Sequence, residues 1–311
     1  MPLEGHPLVV VHGGAGDPDP DDAPSPGAEA PRLAGVRRAV EIALSVLSGG
    51  GSALDAVEAA VRLLEDDPAC NAGTGACLTA AGDVELDASM MDGETLRCGA
   101  VAIVKDVRNP VTLARRVMER SEHVLLAGDG ASAFARAVGI GACPNASLVT
   151  ARQRARWERL VAARPADAAR IVRRDPSPGG TVGAVARDAR GHLAAATSTG
   201  GMVMKHPGRI GDTPIIGCGT YADDALAAVS CTGHGERIIQ LTLARHCADL
   251  VGAGRSAMEA AREAVALLGA RVHGAGGLIV IGPGGDVGFA HNTPVMSRAW
   301  SRPDGSVVAE P

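Results

Sequence analysis

Aromatic side chains are nearly missing from this chain of 311 residues, with two Trp, one Tyr and two Phe making up 2% of it. A core built on large rings is therefore excluded, and 41 glycines with abundant alanine imply close-packed layers of small and aliphatic side chains. No run reaches the roughly 18 apolar residues of a membrane span. The opening Met1-Pro2-Leu3-Glu4-Gly5-His6 has neither the cationic start nor the apolar stretch of a secretory signal. These absences predict a cytoplasmic protein with no membrane partner. Positive charge is not concentrated either: 30 Lys and Arg stand against 35 Asp and Glu, net −5, so nucleic acid is excluded as a partner. The seven Cys contain no C-x-x-C pair, which argues against a disulfide framework and a zinc site. G-x-S-x-G, H-E-x-x-H and G-x-x-x-x-G-K-[ST] are all missing, which removes the lipase, metalloprotease and P-loop readings.

What is present is 46% hydrophobic and long enough to bury a large core. A strand at Leu8-Val9-Val10-Val11 leads into His12-Gly13-Gly14-Ala15-Gly16, and an acidic, proline-rich loop follows to Pro31. Helical periodicity marks Arg32 to Leu47, stopped by Gly49-Gly50-Gly51. A second helix starts on a Ser52/Asp55 capping box, with a stripe of Leu54, Val57, Val61 and Leu64. Strands are predicted at 76–80, 84–91 and 99–104, and helices at about 109–120 and 128–139. Residues 143–180 carry four prolines and read as a linker around one surface helix. The second half repeats the strand-then-helix order. A hairpin of 181–188 and 192–199 turns at Ala189-Arg190-Gly191, and a strand at 214–221 and another ending near Thr232 follow. Helices at 235–252 and 255–269 precede strands near 277–282, 286–291 and 295–300. The fold expected is α/β, with sheet layers sandwiched between helix layers.

The bond that draws attention is Gly180-Thr181. A buried Thr hydroxyl is idle, but a Thr at a new N-terminus has its own α-amine as base. Positions 181 and 199 lie symmetrically about the hairpin turn, so Thr199 is expected beside Thr181. Thr232-Gly233 ends a strand and supplies a hydroxyl and an N–H suited to an oxyanion. Arg209 and Asp212 suit the carboxylate and ammonium of an amino acid.

The runs Gly180-Thr181-Val182-Gly183-Ala184-Val185-Ala186, Thr197-Ser198-Thr199-Gly200-Gly201, Pro207-Gly208-Arg209-Ile210-Gly211-Asp212 and Cys231-Thr232-Gly233-His234-Gly235-Glu236 closely resemble the plant-type L-asparaginase and isoaspartyl peptidase family of N-terminal-nucleophile hydrolases. His12-Gly13-Gly14-Ala15-Gly16, Asn71-Ala72-Gly73-Thr74-Gly75 and Glu85 to Gly93 resemble that family as well, so the likeness spans nearly the whole chain.

The resemblance implies one domain over 1–311, a four-layer αββα sandwich. It would cut itself into an α chain (1–180) and a β chain (181–311) and pair as a dimer of cleaved αβ units. By matching position, Thr181 would be nucleophile and base, Thr199 would orient it, and Thr232 and Gly233 would form the oxyanion hole. Arg209, Asp212, Gly235 and Asn71 would bind a small-molecule or dipeptide substrate: L-asparagine or a β-aspartyl peptide, releasing L-aspartate. No cofactor is implied for catalysis. A structural sodium ion is implied on main-chain oxygens of Leu64, Glu65, Asp67, Cys70, Ala72 and Thr74. Two alternatives stand beside this reading: a glycosylasparaginase-type amidase, and an uncleaved amino-acid-binding protein. His12 and His234 are expected to be structural, Lys205 and His206 to tune entry or lie on plain surface, and Trp157 to anchor packing.

Overall fold

A computed structural model of the chain describes residues 6–17, 30–163 and 180–311. β1 (Leu8–Gly16) is buried at every position but its last, as a strand covered on both faces must be. α1 (Pro31–Ser48) begins on a proline, where a missing N–H costs nothing, and buries Val36, Ala39, Val40, Ala43 and Leu47. α2 (Ala53–Asp66) starts on the expected capping box, Ser52 and Asp55 each accepting the other's backbone N–H. Then come β2 (Leu86–Asp92), β3 (Cys98–Val104), α3 (Pro110–Arg120), β4 (Leu125–Ala127), α4 (Gly128–Ala137), α5 (Asn145–Leu148) and α6 (Ala151–Ala162). After Gly180 the order is β5 (Val182–Arg187), β6 (Leu193–Thr199), β7 (Thr220–Asp223), β8 (Ala227–Gly233), α7 (Gly235–Leu241), α8 (Leu243–Gly252) and α9 (Ala257–Val272). β9 (Gly276–Ile281), β10 (Val287–His291), β11 (Val295–Ser301) and β12 (Val307–Glu310) end the chain.

Two sheets form, ordered β12-β11-β1-β5-β6-β2-β3-β4 and β10-β9-β8-β7. α1, α2 and α3 cover the outer face of the first, α8 and α9 that of the second, and the inner faces meet. The two-residue period of a strand divides the core accordingly. Val9, Val11, Ala184 and Ala186 pack toward α1 and α2, while Leu8, Val10 and Val185 pack toward Val229, Leu278 and Val280 of the second sheet. This is the expected αββα sandwich. The two halves of the chain interleave, however: β5 and β6 lie between β1 and β2 in the first sheet.

Small residues set the distance between the sheets. A methyl group on Gly183 would lie 2.0 Å from Ser230 Oγ and 2.6 Å from His12 Nε2. Gly183→Ala is therefore expected to destabilise the fold by about 1–3 kcal/mol through overpacking, measured as a lower urea midpoint.

Several sequence expectations are corrected. Residues 76–80 form no strand, only a bridge between Leu78 and Val84, because Thr79 closes a local turn with Asp83. Residues 214–219 are successive turns, with Ile215 N bonding Asp212 O and Cys218 N bonding Ile215 O, so β7 starts only at Thr220. The helix expected over 235–252 breaks at Thr242, which has φ 46°. There the loop carbonyls of Cys218 and Gly217 take the N–H groups of Ala244 and Arg245 and redirect α8. The first part of the expected linker is tied down. Asn145 Nδ2 donates to Val84 O and Lys105 O at 2.9 and 2.7 Å, Gln153 Nε2 to Gly75 O at 2.8 Å, and Trp157 Nε1 to Thr79 O at 2.9 Å. The remainder of that linker and most of the acidic loop before Pro31 lie outside the described residues. β4 and β12, both short edge strands, were not expected. Among the described residues no helix is long and apolar enough to cross a membrane.

Candidate active site

The β5/β6 register pairs Val182 with Ser198, which brings Thr181 and Thr199 together at the hairpin's open end. The Thr181 hydroxyl donates to Thr199 Oγ across 3.2 Å, and Thr199 Oγ also accepts the Gly201 N–H at 3.0 Å. Asn71 fixes the turn that carries those glycines. Its Nδ2 donates to Gly201 O at 2.7 Å, its carbonyl accepts Gly200 N at 2.9 Å, and its Oδ1 accepts Cys77 N at 2.8 Å. Asn71 thus stands behind Thr199, with both ends of its amide engaged by backbone.

From the facing sheet, β8 ends at Thr232 and Gly233, the latter at φ 136°. Thr232 Oγ accepts the Ala15 N–H at 3.1 Å. A methyl on Gly180 would lie 2.6 Å from that same oxygen, and one on Gly14 (φ 107°) would lie 2.4 Å from Gly180 N. The Gly180-Thr181 segment is therefore clamped between the end of β1 and the end of β8, in contacts that only glycine permits.

Arg209 and Asp212 meet at Gly235, where a methyl would lie 2.8 Å from Arg209 Nη2 and 2.8 Å from Asp212 Oδ1. Nε and Nη2 of Arg209 donate to the two carboxylate oxygens of Glu236 at 2.8 and 2.9 Å, which orients the guanidinium fork. Nη1 is left on the side of Gly211. Asp212 is buried, its Oδ2 has no partner among the described residues, and burial pushes its carboxyl up to about 7 against the opposing pull of its own backbone and Arg209. Thr181, Thr199, Arg209, Asp212 and Gly233 all line one cavity of about 260 Å³. Ala15, Gly16, Asp17, Gly180, Gly201, Met202, Gly211, His234, Ala275 and Asn292 to Pro294 complete its wall. Thr232, Gly235 and Asn71 support the wall from behind.

The sequence reading missed a chain of buried hydroxyls beneath this site. His12 Nε2 lies 2.9 Å from Ser230 Oγ, which lies 2.8 Å from Thr197 Oγ, and Ser89 Oγ donates to Thr220 Oγ at 2.8 Å in the same inter-sheet layer. Burial drives the His12 imidazole down to about 3, with the Thr181 backbone countering, so the ring is neutral. Hydroxyls on inward-facing strand positions were the available signal. Lys205 is also buried, Nζ donating to Glu85 O at 2.8 Å, and desolvation lowers its pKa against Asp87 and Glu85. His206, by contrast, is exposed and does not line the cavity.

The loop expected to hold sodium follows α2. Gly73 (φ 48°) and Gly75 (φ 94°) let this loop fold closely on itself: a methyl on the first would lie 2.4 Å from Glu65 O, and on the second 2.6 Å from Pro68 O and 2.9 Å from Cys70 O. Leu64, Glu65 and Asp67 carbonyls accept one backbone N–H each, from Asp67, Thr74 and Cys70, and keep a second lone pair. Among the described residues no group of three His, Cys, Asp or Glu side chains could hold a metal.

An αββα sandwich with a threonine at the head of a central strand, opening onto a cavity at the end of both sheets, has the architecture of the N-terminal-nucleophile hydrolases. Residues 5–309 match the Asparaginase_2 family, described as asparaginase, and the chain belongs to that family of hydrolases. It is 46% identical over 298 residues to the isoaspartyl peptidase/L-asparaginase of Xenopus laevis, covering 96% of this chain and 93% of that one. It is 45% identical to the protein of that name from Danio rerio, over 95% and 91% of the two chains. The Homo sapiens protein of that name is 44% identical over 90% of this chain and 88% of its own.

Proposed function

We propose that this chain cuts its own Gly180-Thr181 bond and then hydrolyses β-aspartyl peptides and L-asparagine, releasing L-aspartate. The observation that carries this reading is the Thr181 hydroxyl, 3.2 Å from Thr199 Oγ in the same cavity wall as Arg209 and Asp212. The names of the relatives supply the substrate class. In maturation Thr181 Oγ attacks the Gly180 carbonyl; the C–N bond gives way to an ester that water opens, and Thr181 gains a free amine. In turnover Arg209 holds the substrate α-carboxylate through its free Nη1 edge and Asp212 holds the α-ammonium. Thr181 Oγ then attacks the side-chain carbonyl as its proton passes to the α-amine. Negative charge on the carbonyl oxygen is met by the Thr232 hydroxyl and the Gly233 N–H. The C–N bond breaks, the amine proton leaves with ammonia or the peptide amine, and water hydrolyses the β-aspartyl ester.

Main-chain oxygens of Leu64, Glu65, Asp67, Cys70, Ala72 and Thr74 would hold a sodium ion whose fixed charge stiffens the loop carrying Asn71. Seven free cysteines fit a reducing, cytoplasmic setting. The test of substrate class compares kcat/KM of the purified protein on a β-aspartyl dipeptide, L-asparagine and glycosylated asparagine. The first two are expected to be turned over and the third at least ~100-fold more slowly, since a cavity of about 260 Å³ is small even for a drug-sized ligand. A preference for the glycosylated compound would replace this reading with that of a glycosylasparaginase.

A further inference from the structure

Resting on the reading above, the geometry points to Asp17 as a specificity-determining residue that selects substrates whose leaving amine carries positive charge. The direction in which the leaving group departs follows from sheet order. β5, headed by Thr181, has β6 on one side and β1 on the other, and β8, ending in Gly233, has β7 and β9 on its two sides. β6 packs over β7, and β1 over β9. Arg209 and Asp212 are reached from the β6/β7 side: Asp212 O accepts Gly219 N just before β7, and a methyl on Gly201, just after β6, would lie 3.4 Å from Arg209 Nη1. A β-aspartyl group with its α-substituents there and its side-chain carbonyl at Thr181 sends its amine toward the β1/β9 side.

That side is built from the end of β1 and the segment between β10 and β11. Gly16 pairs with Val295, so Asp17 leaves the sheet next to Pro294, and Asn292 is tied to the start of β9 by accepting Gly276 N at 2.8 Å. Among the described residues the cavity wall contains one Arg or Lys, Arg209, and it belongs to the opposite side. Among the described residues that line the cavity on the leaving side, the one with a charged side chain is Asp17, which is half-buried. A leaving residue with an acidic side chain meets like charge there, and one with a basic side chain meets a counter-ion partly shielded from water.

The experiment measures kcat/KM for β-aspartyl-lysine, β-aspartyl-leucine and β-aspartyl-glutamate, which carry the same two α-carboxylates, one on each residue, and differ in the charge of the leaving residue's side chain. The order expected is lysine, leucine, glutamate, with roughly tenfold or more between the ends. In Asp17→Asn the lysine-to-glutamate ratio is expected to fall to within about twofold, and in Asp17→Lys to invert. A ratio within each variant is independent of how much of that variant folds or matures. Equal rates on the three dipeptides, or a ratio untouched by Asp17→Asn, overturns the inference and leaves the peptidase reading intact. No turnover of any of them overturns both.

Discussion

Thr181→Ala will run as one band at 31.3 kDa and hydrolyse nothing, whereas the unaltered protein will separate into pieces of about 18 and 13 kDa. Both results follow from one oxygen. The Thr181 hydroxyl is the atom placed against Thr199, and the peptide before it is held by Gly14 and Thr232 in contacts that leave no room for a side chain at 180. Removing Oγ deletes the group that attacks Gly180 and, with it, the step that creates the α-amine; turnover should drop by at least ~10³-fold, as when a nucleophile is removed from other hydrolases. Denaturing electrophoresis reads the first effect and ammonia release from L-asparagine the second. A cleaved Thr181→Ala chain would show that another group opens the bond. An unaltered chain that stays whole yet binds L-aspartate would favour the amino-acid-binding alternative.

The hairpin that delivers Thr199 to Thr181 was legible in the sequence because strand pairing is counted from a turn, and Gly191 marked the turn. The helices α1, α2, α3 and α9 were legible for the same kind of reason: caps, prolines and an apolar stripe are local. The motif-level likeness carried Arg209, Asp212 and the Thr232-Gly233 pair; Arg209, Asp212 and Gly233 line one cavity, and Thr232 lies behind its wall.

What could not be read is the result of packing between distant segments. The helix breaks at Thr242 because carbonyls of Gly217 and Cys218 take the N–H groups of Arg245 and Ala244, a contact no local pattern announces. The segment 145–162 looked like linker because its polar side chains, Asn145, Gln153 and Trp157, are spent on backbone of residues 75–105 rather than on a helix stripe. The layer of hydroxyls around Ser230 was likewise hidden, since Ser and Thr in strands are unremarkable until two sheets place them face to face.

The acid side of the pH profile should separate binding from chemistry. Without substrate the Asp212 carboxyl is held up to about 7, first by burial, so below that pH it is neutral and offers no charge to an α-ammonium. KM is therefore expected to rise about tenfold per pH unit below 7, while kcat follows the Thr181 amine, whose ordinary range is about 7.7–8.0. Asp212→Asn should raise KM by roughly 10²-fold at pH 8 and abolish its dependence on pH. Linkage fixes a second sign. A carboxyl with a native pKa above its unfolded value of about 3.9 leaves the native state holding more protons than the unfolded one, so its contribution is retained at low pH and lost as pH rises through 7. The less active Asp212→Asn protein should consequently melt higher than its parent at pH 8, and by no more than the parent at pH 4. L-aspartate, by supplying the missing ammonium, should stabilise the parent more at pH 8 than at pH 6. A KM that is flat from pH 5 to 8 would remove Asp212 as the ammonium ligand.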